Sequence, residues 1–209
     1  MNLPVIHSCC HLFKKMPLNI GFVGGVRYFD INKKIISAFA NNPSFTLSYI
    51  GKQHPGCDLP SFCRAYNIKN VSFSPTFQNE NKKVIYEGIE LINSIYGDDS
   101  KEVRSLLPAR LYDAALYQIP ILVSKNTYLQ TIVEQYHLGL AIDMSTENAV
   151  EKLVCYINHF DEDIFYTGCE KFWDTSLKEK NAAMERINEY FKRYVSIGNV
   201  VQMEAGRPC

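Results

Sequence analysis

The chain has no excess of either charge: 22 lysines and arginines balance 22 aspartates and glutamates. No net field steers it toward nucleic acid, and any electrostatic site has to be local. It lacks a run approaching the ~20 apolar residues of a membrane-spanning helix. It also lacks the basic segment followed by an apolar stretch that marks a secretory leader, because Pro4, His7 and His11 interrupt its first residues. Neither secretion nor an integral membrane segment is expected. The cysteines lack a pattern. Cys9, Cys10, Cys57, Cys63, Cys155, Cys169 and Cys209 are odd in number and form no C-x-x-C pair. Their arrangement predicts reduced thiols in a cytoplasm rather than a disulfide framework. His7, Cys9, Cys10 and His11 cluster without the spacing of structural zinc. The histidines offer no catalytic triad, and the scattered aromatics offer no stacking platform for nucleic acid. No repeat or low-complexity tract occurs.

What is there suffices for a packed core. The chain has 209 residues, 46% hydrophobic and 12% aromatic, enough for one large α/β domain. Residues 1–16 show no clean period and read as an irregular lead-in or linker remnant, 17–194 as the domain, and 195–209 as a tail. Apolar runs predict strands over 18–23, 45–50, 71–73 and 89–95, with helices over 31–40, 58–66 and 79–86 between them and a polar loop over 96–102. The stretch 105–143 repeats the alternation as helix, strand, helix, strand. Amphipathic helices over 147–160 and 177–194 close the chain. Six β-α alternations call for a parallel sheet with helices on both faces.

Polar groups in this pattern concentrate at the turns. Pro108 suits the start of a helix, Leu111, Ala114 and Ala115 share its apolar face, and 119–123 is an entirely apolar strand ending at Ser124, Lys125 and Asn126. Ligands of such folds bind outside the carboxyl ends of the strands. Pro108, Arg110, Leu111, Tyr112, Asp113, Pro120, Ile121 and Leu122, followed by SKNTYL and by Gly139 and Asp143, resemble the donor-binding half of group 1 glycosyltransferases of the GT-B fold. IGFVGGVRYFDINKKIISAF, from Ile20 to Phe39, is similar to that family's first strand, glycine turn and helix. The resemblance covers residues 18–190. It implies a single Rossmann-like domain, one half of a GT-B fold.

The resemblance also implies a site. Gly24 and Gly25 let the backbone turn closely past a ligand, and Arg27 three residues on can pair with a phosphate bidentately. Arg110 is the second cation, and the family places a Lys or Arg at both positions against the donor diphosphate, where charge develops on the leaving group. Asp113 stands where the family usually has the second carboxylate of E-x7-E, which binds ribose hydroxyls. The bland alternative is an i,i+3 pair with Arg110, worth ~0.2–0.5 kcal/mol. The first carboxylate falls at Ser105, a departure, though backbone N–H groups of Ser105, Leu106 and Leu107 could face a ligand at a helix N-terminus. Lys33 resembles a second diphosphate-binding lysine, with Lys34 competing for the role. Arg104 is a further candidate, against the bland reading of a solvated arginine. FSPTF, residues 73–77, occupies the position that seats the base, or else simply belongs to the core.

The implied activity is transfer of a sugar from a nucleotide sugar to a glycan or lipid-linked acceptor in bacterial surface polysaccharide, such as capsule, without a cofactor or metal, since the arginines supply the charge. The implied location is the cytoplasm, with room for peripheral association at the inner membrane face. The family has two Rossmann-like domains, and the acceptor half has no counterpart here. The expectation is a fragment, a chain partnered by an N-terminal acceptor domain on another chain, or a domain without transferase activity. A non-catalytic nucleotide-sugar-binding module and a GT-B-like nucleotide-sugar epimerase are the alternatives.

Overall fold

The structure, a computed structural model, describes residues 11–205, with side chains through residue 192. A single sheet of six parallel strands forms its centre, in the order β3-β2-β1-β4-β5-β6. The strands are β1 Leu18–Val23, β2 Phe45–Ile50, β3 Val71–Ser74, β4 Leu91–Ser94, β5 Ile121–Ser124 and β6 Gly139–Ile142. Between and after them run α1 Phe29–Ala38, α2 Leu59–Ala65, α3 Lys82–Tyr86, α4 Lys101–Arg104, α5 Ala109–Tyr117, α6 Tyr128–Gln135, α7 Ala149–Asn158 and α8 Glu162–Ala205. The Rossmann-like reading of the sequence is thus the fold observed.

The main core lies on one side of the sheet. Leu18, Ile20 and Phe22 of β1 and Phe45, Leu47 and Tyr49 of β2 pack there with Ile35 and Ile36 of α1, Leu59 of α2 and Leu153, Val154 and Ile157 of α7. The strand side chains alternate, so one period-2 set enters this core, while α5 packs against β4 and α6 against β5 and β6. β4 and β5 are buried along their whole length, as continuous apolar runs predict. The order places β1 beside both β2 and β4. Six residues of β1 register with β2, but only Ile20 and Gly21 register with β4, opposite Leu91 and Ile92.

Boundaries depart from expectation where polar caps decide them. The Asp58 side chain accepts from Ser61 N–H at 3.0 Å and starts α2, and Thr127 does the same for α6 through Gln130 N–H at 3.1 Å. The expected loop over 96–102 holds the start of α4, because the Ser100 hydroxyl accepts from Val103 N–H at 3.2 Å. The last helix begins at Glu162, not at 177. Within it, a Cβ on Gly168 would lie 1.8 Å from the Tyr136 carbonyl oxygen, so glycine lets the helix pass that close. The described residues through Glu170 belong to one compact unit, and a second begins at Lys171 and is helical to Ala205. The predicted tail over 195–209 is therefore helical as far as it is described. Of the lead-in, residues 11–16 are described and include a short 3-10 turn, His11–Phe13.

Candidate functional site

The carboxyl ends of β1 and β4 diverge into separate crossovers, and a cleft of about 340 Å³ opens above them. Its first wall is the turn after β1. Gly24 has φ +130° and Gly51, after β2, φ +139°, a backbone that favours glycine at both; at Gly51 a Cβ would also sit 2.1 Å from the Gly24 carbonyl oxygen, so that turn needs glycine to approach this closely. Gly24 N–H donates to Ile50 and Val26 N–H to Lys52, each at 2.9 Å, fixing the turn. Tyr28 follows in the left-handed region with φ 59°, unusual for a bulky residue. The Asn32 amide supports it, donating to the carbonyls of Arg27 at 2.6 Å and Tyr28 at 3.0 Å.

Arg110, in the first turn of α5, forms the opposite wall and is only 5% exposed. Its guanidinium donates to the Asn93 carbonyl at 2.6 Å and to the Tyr96 hydroxyl, and lies 3.6 Å from the centroid of the Phe22 ring. Burial works to lower its pKa, while the Tyr96 hydroxyl and then Asp113 act to keep it charged. Asp113 does not pair with Arg110. Its carboxylate accepts from Lys82 Nζ at 3.0 and 3.1 Å and from the Tyr86 hydroxyl at 2.9 Å. Burial, then Asp113, push the Tyr86 phenol well above its ordinary range, so it stays a donor.

The structure brings Gly24, Gly25, Arg27, Leu106, Arg110 and Asp113 together around this cleft. It does not bring Lys33 there: that ammonium pairs with Asp30 at 2.9 Å over the Phe29 ring. Lys34 points elsewhere too, donating to Ser145 Oγ at 3.0 Å. Ser105 ends α4 instead of opening α5, and its N–H donates to Lys101 at 3.1 Å and that of Leu106 to Val103 at 3.3 Å, so neither faces a ligand. Leu107 is exposed and Arg104 Nε donates to the Ser100 carbonyl at 3.4 Å. FSPTF divides between both readings: Phe73 stacks on Tyr49 at 5.7 Å, whereas Phe77 lines the cleft.

Tyr28, in the expected stretch 25–28, lines the cleft too, whereas sequence reasoning missed Lys82 and Tyr96, which also line it. Tyr96 stands two residues past the end of β4, the strand beside β1 and its glycine turn, which was the available signal. Lys82 offered none, since its partner Asp113 is 31 residues away. Among the described residues, no three His, Cys, Asp or Glu side chains gather as metal ligands. His7, Cys9, Cys10 and Cys209 lie outside the described residues, and Cys57, Cys63, Cys155 and Cys169 are free thiols.

No protein-family model and no curated protein matches this sequence. Solved structures do match its fold. AviGT4, a glycosyltransferase involved in avilamycin A biosynthesis, aligns with a TM-score of 0.62 at 15% identity over 87% of this chain and 54% of its own. HepE of Anabaena, in complex with UDP, aligns with a TM-score of 0.59 at 14% identity over 80% of this chain and 48% of its own. The C-terminal domain of LpcC, a group 1 family glycosyl transferase from Francisella tularensis, aligns with a TM-score of 0.53 at 16% identity over 78% of this chain and 86% of that domain. The chain thus spans about half the length of AviGT4 and HepE and most of an isolated C-terminal domain. Its fold is that of the C-terminal, Rossmann-like half of the GT-B group 1 glycosyltransferases.

Proposed function

We propose that this chain is the donor-binding domain of a glycosyltransferase that builds bacterial surface polysaccharide, and that its cleft takes the diphosphate of a nucleotide sugar. One observation carries the reading: a glycine turn with Arg27 and the buried cation Arg110 face each other across a single cleft at the strand ends. As the sugar–oxygen bond breaks, negative charge grows on the diphosphate. Donors already fixed in place stabilise that charge without reorganising. Arg110 fits this role, because Phe22, Asn93 and Tyr96 hold its guanidinium before any ligand arrives. Lys82 adds a third cation, oriented by Asp113. With three of its lone-pair positions occupied, the Asp113 carboxylate retains capacity for a ribose hydroxyl. The charge is supplied by side chains, and the reading requires no metal.

The acceptor belongs to a second, N-terminal domain, which closes over the donor to exclude water and align the attack; such positioning is worth ~7–11 kcal/mol of a barrier. Calorimetry with UDP, GDP and their sugars tests the donor site, with binding expected in the absence of divalent metal. A folded protein that binds none of them at millimolar concentration would overturn the reading. Sugar transfer by this chain alone, at the ~1 per second or faster of an ordinary enzyme, would overturn the division of labour between two domains.

A further inference from the structure

The loop after β2 supplies a group that the donor-site argument leaves unused. Val26 N–H donates to the Lys52 carbonyl at 2.9 Å and His54 N–H to the Val26 carbonyl at 3.0 Å, so this loop is laced in parallel against the turn after β1. The lacing seats the His54 ring on Gly25, where a Cβ would lie 3.2 Å from Nε2. It also sets the ring against Arg27, whose Nε–H donates to His54 Nε2 at 3.0 Å. Arginine is only ever a donor. His54 therefore presents a lone pair at Nε2 and carries its proton on Nδ1. Arg27 lines the cleft and His54 does not, so the imidazole can act on a ligand only through Arg27.

The charged groups on the segments meeting at His54 are few. Arg27 comes from the turn after β1 and exposed Lys52 from its own loop. Asp58, at the start of α2, turns its carboxylate to Ser61 N–H. Burial pushes the neighbouring Cys57 thiol up, which keeps it neutral.

We infer that His54 is a proton-controlled positioning residue for Arg27. Neutral, it holds the guanidinium by Nε and leaves both terminal nitrogens free for a bidentate contact with phosphate. Protonated, it has no acceptor left and confronts Arg27 as a second cation, so Arg27 leaves its seat. Imidazole is the side chain whose protonation exchanges a hydrogen-bond acceptor for a second donor, so the Arg27 contact exists only with the neutral ring. The effect on ligand affinity rests on the donor-site reading, whereas the Arg27–His54 lock itself does not.

Two measurements test this separately. In the ligand-free protein at pH 8, 15N NMR should find His54 as the Nδ1–H tautomer, and Arg27→Met should shift it toward the Nε2–H form common in free histidine. UDP-glucose and GDP-mannose are suitable probes, since their diphosphate diesters do not titrate here. For whichever binds, affinity should fall about 2- to 10-fold between pH 7.5 and 5.5, the worth of one hydrogen bond. The fall should vanish in His54→Gln, whose amide oxygen accepts from Arg27 without titrating. An Nε2–H tautomer in the unaltered protein, or an equal fall in His54→Gln, would overturn the inference. The expected tautomer with no binding at any pH would overturn the donor-site reading and leave the lock standing.

Discussion

The Arg110 guanidinium lies 3.6 Å from the centroid of the Phe22 ring, and Phe22 in turn stacks on Tyr49 at 5.6 Å, so the buried cation of the cleft rests on the aromatic core of the sheet. A cation seated this way is part of the packing as well as of the site. Replacing Phe22 with leucine should cost about 1–3 kcal/mol of stability through lost packing and cation–π attraction, and should weaken diphosphate binding along with it. Arg110→Lys keeps the charge but not the planar fork, and should destabilise as well. Urea denaturation checks both; a neutral Arg110→Lys would mean that the stack contributes nothing.

Asp113, Lys82 and Tyr86 form a second coupled unit. Asp113→Asn leaves Lys82 without its counter-ion at a site where Asp113 is 8% exposed, and should cost about 1–3 kcal/mol. Because the two residues share one interaction, Lys82→Met combined with Asp113→Asn should cost less than the sum of the single changes. A double-mutant cycle in denaturant measures this, and strict additivity would deny the coupling.

Stability toward acid should depend on Glu147. Its carboxyl is held at about 2, below an ordinary value of 4.5, first by the Asp143 N–H and then by Lys125, with Lys152 assisting. A carboxylate depressed on folding adds stability that is complete above pH 4.5 and disappears as pH falls toward 2. Lysine partners at the surface screen part of it. Glu147→Gln should therefore flatten the unfolding midpoint between pH 4.5 and 2, and an unchanged acid profile would refute the role.

Gly51→Ala should be among the most damaging single-methyl changes in the chain. The residue's φ of +139° strains any L side chain, and the new methyl would meet the Gly24 carbonyl at 2.1 Å. A loss of about 2 kcal/mol or more is expected, since incompatible backbone and steric contact add. Thermal unfolding would show it, accompanied by weaker nucleotide binding if the cleft turn shifts.

The sequence made the scaffold legible because apolar periodicity is local information. β1 and β2 end where the run of residues says, and Gly24, Gly25, Arg27 and Arg110 meet because parallel strands deliver their carboxyl ends to one edge. What stayed hidden depends on partners far along the chain. Nothing near Ser105 says that Ser100 caps a four-residue helix ahead of it, and nothing near Asp113 says that Lys82 rather than Arg110 will reach its carboxylate. Lys33 looked equivalent to a ligand-facing lysine until Asp30, one turn earlier, claimed it. Helix pattern locates a face, whereas the choice of counter-ion is settled by tertiary packing.

The narrow register between β1 and β4 has a mechanical consequence. β1, β2 and β3 are consecutive in the chain, as are β4, β5 and β6, so the sheet consists of two contiguous halves that meet along the strand pair with the shortest ladder, with α7 packed across them. The cleft spans that seam, with Arg27 on one half and Arg110 on the other. A diphosphate gripping both would act as a brace across that seam. At a ligand concentration of 100 times Kd the brace is worth about 2.7 kcal/mol, and a pulling experiment would register it as a higher force for separating the two halves of the sheet.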